Sequence, residues 1–446
     1  MTAAATALEV DPAANPLLRA RFPGLVHTLD PDTMRTALQS ALTDGRGDVV
    51  ACSKPRAEVG ATSCFVQWAV TFRADTGETS EITVVGSTFS RVEEARDFER
   101  TVLAPQVREM RAHGNGPPTT CVIDSLNLAL SVFPVNGALP LLHRALDLRH
   151  VADVLRATLP DARVTRAELV ELRRARGCVL RYQVLADSET TVYGKVGHHA
   201  TDAVAQGLNA LEEESAARGD HEAFFPHWLG CSPETGLTLV SELCGTRPDL
   251  SASGDQAAAV AGAARVAARL HRSGVRVQRH HTFDDEVARA REAAELVARD
   301  DPGLGSRLLA VLESAESAGH RGAPAAVLAH GSFAPSQLVM DGARIGVLDF
   351  DRLCMCEPGF DLGRFTAPLR VTLAKNDSGA AGALAGEFLG RYLDLGGAAG
   401  SETRAGLYEL VSLTRMAARS WLQLKRSRLH HVLRVLDGRL AEMGMP

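Results

Sequence analysis

Residues 328–364 read LAHGSFAPSQLVMDGARIGVLDFDRLCMCEPGFDLGR, and the reading of this stretch decides the fold. His330-Gly331 opens a loop. A strand pattern follows over 337–340, Gly342 supplies a turn, and a second strand pattern runs over 345–348. Asp349 and Asp351 stand where that second strand ends. Apolar residues enclose both strands, so the hairpin is expected to be buried. Two carboxylates leaving a buried hairpin are costly unless something neutralises them. A divalent cation with oxygen ligands, from Asp349 and a side chain of the preceding loop, is the economical partner.

The segments HGSFAPSQLV, IGVLDFD and EPGFDLGRF resemble the catalytic loop and metal-binding segment of the aminoglycoside phosphotransferase and choline kinase superfamily. That superfamily has a protein-kinase-like fold, and its pattern is HGDxxxxN, a strand ending in D-[FW]-[DE], then a DL pair. His330, Gly331, Asp349, Asp351 and Asp361-Leu362 match it at the right spacing. Two positions depart: Ser332 stands where the family has its catalytic Asp, and Gln337 where it has a metal-binding Asn. The resemblance implies ATP and Mg²⁺ as cofactors, Gln337, Asp349 and Asp351 as metal ligands, and Ser332 and His330 at the catalytic position.

Composition is that of an ordinary soluble globular protein. The 446 residues are 45% apolar and 23% charged, long enough for two or three units with ample cores. A formal charge of −6 and an aromatic content of 5% offer neither a basic footprint nor stacking platforms, so neither nucleic acid nor an anionic membrane is expected as partner. No uncharged apolar run of membrane-spanning length occurs, and residues 1–15 lack the basic start and apolar core of a signal peptide. A cytoplasmic location is expected, with the eight cysteines reduced and mostly buried. Cys354 and Cys356 form the one close pair, without the further ligands that zinc needs.

In chain order, 1–15 reads as a disordered leader and 16–135 as an α+β unit. Asp30-Pro31 signals the start of a helix. Alternating strands over 64–72 and 81–85 flank the turn Asp75-Thr76-Gly77. The stretch 23–42, PGLVHTLDPDTMRTALQSAL, is echoed by LPLLHRALDLRHVADVLRATL at 139–159. Each is followed by a hairpin that starts at a Cys and ends in TVxG. This reads as an internal duplication of a helix-plus-hairpin unit. The copies end differently, in Ser87 and in Lys195. In the superfamily, a Lys at this place holds the α and β phosphates of the nucleotide, so 136–245 is expected to be the working small lobe and 16–135 a degenerate copy.

Other expected small-lobe positions follow from the same resemblance. Arg174-Ala175-Arg176-Gly177 occupies the place of the phosphate-covering loop. Glu212, on a helix over 202–218, is the candidate acid for orienting Lys195. Residues 237–243 read as an edge strand leading into a hinge, where Glu242 and Cys244 would meet the adenine. The string His198-His199-Ala200-Thr201-Asp202 is similar to the HHxxxDG motif of acyl-transferring condensation enzymes, but its Asp falls one residue early and no Gly follows. From 246 to 446 the pattern is helical except for the central hairpin, with a basic stripe at Lys425, Arg426 and Arg428 read as a solvated face.

The expectation is a two-lobed α+β, protein-kinase-like fold with an extra N-terminal helix-plus-hairpin unit. The expected activity is ATP- and Mg²⁺-dependent phosphoryl transfer to a hydroxyl of a small molecule, the acceptor being a sugar, aminoglycoside, amino alcohol or natural-product intermediate. Serine cannot take a proton as a carboxylate does. The alternative is therefore a pseudokinase-type nucleotide-binding or regulatory module. A serine hydrolase lacks the G-x-S-x-G elbow it would need.

Overall fold

The computed structural model describes residues 11–43, 47–112, 120–173, 177–197, 201–219, 223–250, 253–319, 324–374 and 378–445. Residues 174–176 of the expected phosphate-covering loop and 198–200 of the HHATD string lie outside them.

The N-terminal unit begins with helices α1 (Pro16–Arg21), α2 (Leu25–Thr28) and α3 (Pro31–Leu42). The Asp30 carboxylate accepts the Thr33 N–H at 2.9 Å and Pro31 takes the first helical position, as that dipeptide predicts. Strands β1 (Asp48–Cys52), β2 (Arg56–Val59), β3 (Cys64–Arg73) and β4 (Thr79–Thr88) follow. Helices α4 (Val92–Phe98) and α5 (Ala104–Ala112) are joined by a π turn, and β5 (Thr120–Ile123) and β6 (Leu128–Val132) close the unit. The sheet order is β1-β3-β4-β6-β5, with β2 also on β3. Of the expected leader, residues 11–15 are described and are not disordered: Pro12–Ala14 forms a 3₁₀ turn, and the Asp11 carboxylate accepts from Arg426 at 3.4 Å.

The second unit contains α6 (Leu148–Leu155), β7 (Arg163–Leu172), β8 (Gly177–Leu185), β9 (Glu189–Gly197), α7 (Thr201–Arg218), the short β10 (Ala223–Phe224), β11 (Trp228–Ser232) and β12 (Leu237–Ser241). Its sheet order is β11-β12-β9-β8-β7. The strand over 237–243, expected at the edge, is interior. β11, for which the sequence offered no alternation, pairs along its outer side.

The two sheets have the same plan once β1 and β2 stand for β7. The registers also agree. Cys64 faces Thr88 as Cys178 faces Val196, so Ser87 and Lys195 occupy one position of the two hairpins. Leu128 faces Thr88 as Leu237 faces Val196. A Cβ on Gly86 would meet Leu128 at 2.7 Å and Trp68 at 3.3 Å. A Cβ on Gly194 would meet Tyr182 at 2.5 Å and Leu237 at 3.0 Å. The same glycine makes room for the same aromatic and leucine positions in both sheets.

The large lobe has helices α8 (Ser253–His271), α9 (Phe283–Ala298) and α10 (Pro302–Gly319), strands β13 (Val327–Ala329), β14 (Leu338–Asp341), β15 (Arg344–Val347) and β16 (Cys354–Cys356), and helices α11 (Gly359–Leu373), α12 (Ser378–Asp394), α13 (Ser401–Leu422) and α14 (Arg426–Glu442). Thr282 and Asp285 form a reciprocal capping box that starts α9. The helical pattern over 402–440 is two helices, because Leu424 takes a left-handed φ of 55° between α13 and α14. The central hairpin β14–β15 pairs Leu338 with Val347 and Asp341 with Arg344. One apolar core runs from Phe22 and Leu25 of the N-terminal unit to Val297, Leu304 and Trp421 of the large lobe. Arg21 crosses the same boundary to the buried Asp300 at 2.9 Å.

Candidate phosphotransfer site

The loop after β13 is tied down by a buried carboxylate. Asp361, in the first turn of α11, accepts the His330 N–H at 2.6 Å and the Gly331 N–H at 2.9 Å. It also meets His271 Nε2 at 3.3 Å, whose Nδ1 bonds Tyr392 Oη at 2.9 Å. Burial pushes the Asp361 carboxyl up, but the His271 bond and charge, with the backbone donors, hold it below its ordinary value. Gly331 has φ +76°, and a Cβ there would lie 2.1 Å from the Arg352 carbonyl oxygen. Only glycine lets the loop pass so close to the segment after Asp351.

His330 is fully committed to this scaffold. Its Nε2 donates to the Leu348 carbonyl at 2.9 Å, and its Nδ1 accepts the Ser332 N–H at 3.2 Å. That fixes the neutral tautomer with the proton on Nε2. Complete burial lowers the imidazole's affinity for a second proton, against the pull of Asp361 and Asp349. His330 therefore has no lone pair left to act as base for Ser332, and the catalytic role considered for it is corrected to a structural one. Ser332 itself lines the cleft between the lobes, half-buried.

Asp349 follows β15 with a left-handed φ of 74°, a conformation that costs a non-glycine residue and recurs at functional sites. It aims the carboxylate back toward the small lobe. Lys195 Nζ, from β9, lies 2.5 Å from Asp349 Oδ1 and 2.9 Å from Asp351 Oδ1. Arg173 Nη1, just after β7, lies 3.3 Å from Asp349 Oδ2, and Gln337 Nε2 donates to that oxygen at 3.1 Å. Burial would raise the Asp349 pKa, but the Lys195 and Arg173 charges overcome it and hold the carboxyl far below the usual range. Lys195, Gln337, Asp349, Asp351 and Ser332 thus meet around one cleft, although up to 156 residues separate them in sequence.

The other expected positions fare differently. Glu212 is exposed on α7 and pairs with His227 Nδ1 at 2.9 Å, so it does not orient Lys195. The face that α7 buries is apolar, with Val204, Leu208 and Leu211, and Gly207 sits against Leu353. The carboxylates beside Lys195 come from the large lobe instead. Glu242 and Cys244 do lie in the segment joining the lobes. Glu242 accepts from Tyr193 Oη at 3.4 Å, and both side chains are exposed. The linker then pairs with the central hairpin, where Thr246 and Met340 exchange backbone hydrogen bonds at 2.9 and 2.8 Å.

Sequence reasoning missed the arginines. Arg173, Arg279 and Arg289 line the cleft, as do Arg415 and Arg419, one turn apart on α13. Lys425, read as part of a solvated stripe, lines it too. The one available signal was Arg415 and Arg419 themselves, two cations four residues apart in a helix that is otherwise nearly all buried.

The donor chemistry suits Mg²⁺. Two carboxylates and a side-chain amide oxygen are hard oxygen ligands, and Mg²⁺ takes one or two carboxylates and completes its shell with phosphates and water. Among the described residues no three His, Cys, Asp or Glu side chains are grouped as a metal site.

Residues 216–410 match the model of the phosphotransferase enzyme family. No curated protein matches the chain. Among solved structures the chain is similar to a choline/ethanolamine kinase family protein from Mesorhizobium loti, at 18% identity over 60% of this chain and 85% of that one, with a TM-score of 0.43. It is similar to the aminoglycoside phosphotransferase APH(3'')-Id of Streptomyces rimosus, solved with ADP and streptomycin, at 20% identity over 65% and 98% of the chains and a TM-score of 0.38. It is also similar to APH(4)-Ia, solved with ADP and hygromycin B, at 13% identity over 64% and 96% and a TM-score of 0.45. The chain has a two-lobed α+β fold, and its residues 216–410, under half of its length, resemble the phosphotransferase enzyme family.

Proposed function

We propose that this protein transfers the γ-phosphoryl group of ATP to a hydroxyl of a small molecule, in the cleft between β8–β9 and the central hairpin. The observation that carries the reading is the meeting of Lys195 with Asp349 and Asp351 across the two lobes. A cation on a small-lobe strand and carboxylates on a large-lobe loop are what phosphoryl transfer asks of a protein: held phosphates, held metal and a positioned acceptor.

In this reading Lys195 and Arg173 hold phosphate oxygens. Asp349, Asp351 and Gln337 would hold Mg²⁺, the Gln337 amide turning to present Oε1 in place of the Nε2 that now donates to Asp349. Mg²⁺ held there would supply neutralisation of charge on the phosphates. Binding of nucleotide and metal requires Lys195 to leave Asp349 for the phosphates, so the ion pair keeps the carboxylate ionised and placed until then. Glu242 and Cys244 flank the adenine through the linker backbone. Ser332 lines the acceptor side. The acceptor oxygen forms a bond to Pγ, the bond from Pγ to the β–γ bridging oxygen breaks, and the hydroxyl proton passes late to an oxygen of the transferred group. A loose transition state tolerates that route. Lack of a carboxylate at Ser332 costs about 10²–10⁴-fold of general-base assistance.

The second reading, a nucleotide-binding pseudokinase, is favoured by one observation: both nitrogens of the nearest imidazole, His330, are already bonded to backbone. Transfer of ³²P from [γ-³²P]ATP across a hydroxyl-compound panel separates the two. Acceptor-dependent product in the wild type supports the kinase. Tight nucleotide binding with no transfer in the wild type, and ATPase activity only in Ser332→Asp, supports the pseudokinase.

A further inference from the structure

The cleft beside Lys195 extends into a cavity of about 730 Å³ whose lining carries ten basic side chains against four carboxylates. At the nucleotide end these are Arg173 and Lys195, facing Glu171, Asp349 and Asp351. The other end is far more lopsided. Arg289, Arg352, Arg364, Arg415 and Arg419 converge there from the large lobe, joined by Lys425 at the start of α14 and Arg56 on β2, while Arg279, whose Nη1 donates to the Asp351 carbonyl oxygen at 3.1 Å, stands between the two ends. Glu58, also on β2, is the one lining carboxylate opposite them. Below the wall, the fully buried Glu286 binds Arg364 at 2.6 Å, with Arg415 at 3.5 Å and Arg352 at 3.8 Å. One anion thus props three guanidinium groups against the cavity.

We infer that this end of the cavity binds a small polyanion, so that the acceptor carries at least two phosphate or carboxylate groups beside the hydroxyl that is phosphorylated. The word acceptor rests on the kinase reading; the anion preference rests on the cavity itself. A solvated basic face comes from one side of one element. Here the cations come from separate helices, a strand and two loops, and they point into a single concavity. With Glu58 on the wall and Glu286 behind it set against these cations, the wall stays cationic. The volume suits a small ligand, and low-dielectric walls lined by one charge sign raise the local concentration of the opposite one. A cationic acceptor such as an amino alcohol or aminoglycoside would meet like charges and be disfavoured there.

The same arrangement gives the N-terminal unit a task. β2 alternates, with Ala57 and Val59 turned into the core and Arg56 and Glu58 into the cavity. The extra sheet supplies one wall of the acceptor end. The neutral Ser332 also fits this chemistry, because a carboxylate in its place would repel an anionic acceptor.

The test is calorimetric binding to the full chain of fructose 1,6-bisphosphate, citrate and inositol hexakisphosphate, each alone and with saturating Mg·ADP. Fructose, glycerol, choline and streptomycin are the uncharged and cationic counterparts. At least one polyanion should bind at micromolar to low-millimolar concentration, with affinity falling steeply as salt rises. Arg419→Gln and Arg56→Gln, neither of which removes a partner of Glu286, should each weaken that binding about tenfold while leaving Mg·ADP affinity within twofold. Polyanion binding that persists in a protein that binds no nucleotide would support the anion site and sink the kinase reading. Failure of all three polyanions, binding unchanged in both variants, or a neutral or cationic compound bound as tightly would overturn the inference.

Discussion

Replacing Glu286 by Gln is the perturbation whose size can be worked from the structure. Burial alone would push this carboxyl up, but Arg364 and Arg415 outweigh it, and His281 adds a bond at 3.2 Å, leaving it at about 2 against the usual 4.5. At about 1.4 kcal/mol for each tenfold change in proton affinity, the ionised side chain contributes about 3 kcal/mol at pH 7. This agrees with the cost of about 3–5 kcal/mol for removing one member of a buried ion pair. The folded-state pKa is depressed, so the contribution is present above the unfolded value and disappears as pH falls through the folded one. Between pH 7 and pH 3.5 the deficit of Glu286→Gln relative to wild type should shrink by about 1–2 kcal/mol. Urea unfolding followed by tryptophan fluorescence is informative, because Trp421 is buried in α13, the helix that carries Arg415. A deficit below about 1 kcal/mol at pH 7, or one that stays constant down to pH 3.5, would refute the account of Glu286 as the anionic prop of the cavity wall.

Other expectations follow from the same geometry. His330 should stay neutral with its proton on Nε2 from pH 8 to pH 6, checked by imidazole ¹⁵N shifts; a titration midpoint near 6.5 would contradict its double commitment to backbone. Asp361→Ala unpairs two buried N–H groups and His271, and should cost about 3 kcal/mol of stability, read as a shifted denaturation midpoint. Ser332→Asp should raise ATPase activity by at least about tenfold while raising KM for an anionic acceptor; a lowered KM would argue against the cationic acceptor end. Glu212→Ala should leave nucleotide affinity within about twofold, because its partner is His227 and not Lys195.

Much of this site was legible in the sequence because its loop is dictated locally. Asp361 holds the His330 and Gly331 N–H groups, His330 holds the Leu348 carbonyl beside Asp349, and Gly331 packs on the Arg352 carbonyl beside Asp351. Their spacing is thus fixed locally even though Ser332 and Gln337 depart from the family pattern. Lys195 was legible for a different reason: its hairpin repeats an earlier one, and the structure extends the likeness to register, with Ser87 in the place of Lys195. We propose that the whole N-terminal sheet, and not only its hairpin, is a second copy of the small lobe. What the sequence hid depends on long-range placement. Glu212 looked suitable by helical spacing, but α7 turns its apolar face inward and leaves its glutamates to solvent and to Arg269. The interior place of β12 depended on β11, whose Gly230 and register shift mask the alternation. The cationic cavity draws residues from Arg56 to Lys425, and no window of sequence shows that convergence.

The most direct measurement is Mg²⁺-dependent ATP binding by calorimetry on wild type, Lys195→Met and Asp349→Ala. The account predicts binding in the wild type that weakens at least about tenfold without Mg²⁺, and comparably in each variant. Failure of the wild type to bind ATP, or equal affinity in all three proteins with and without Mg²⁺, would contradict it.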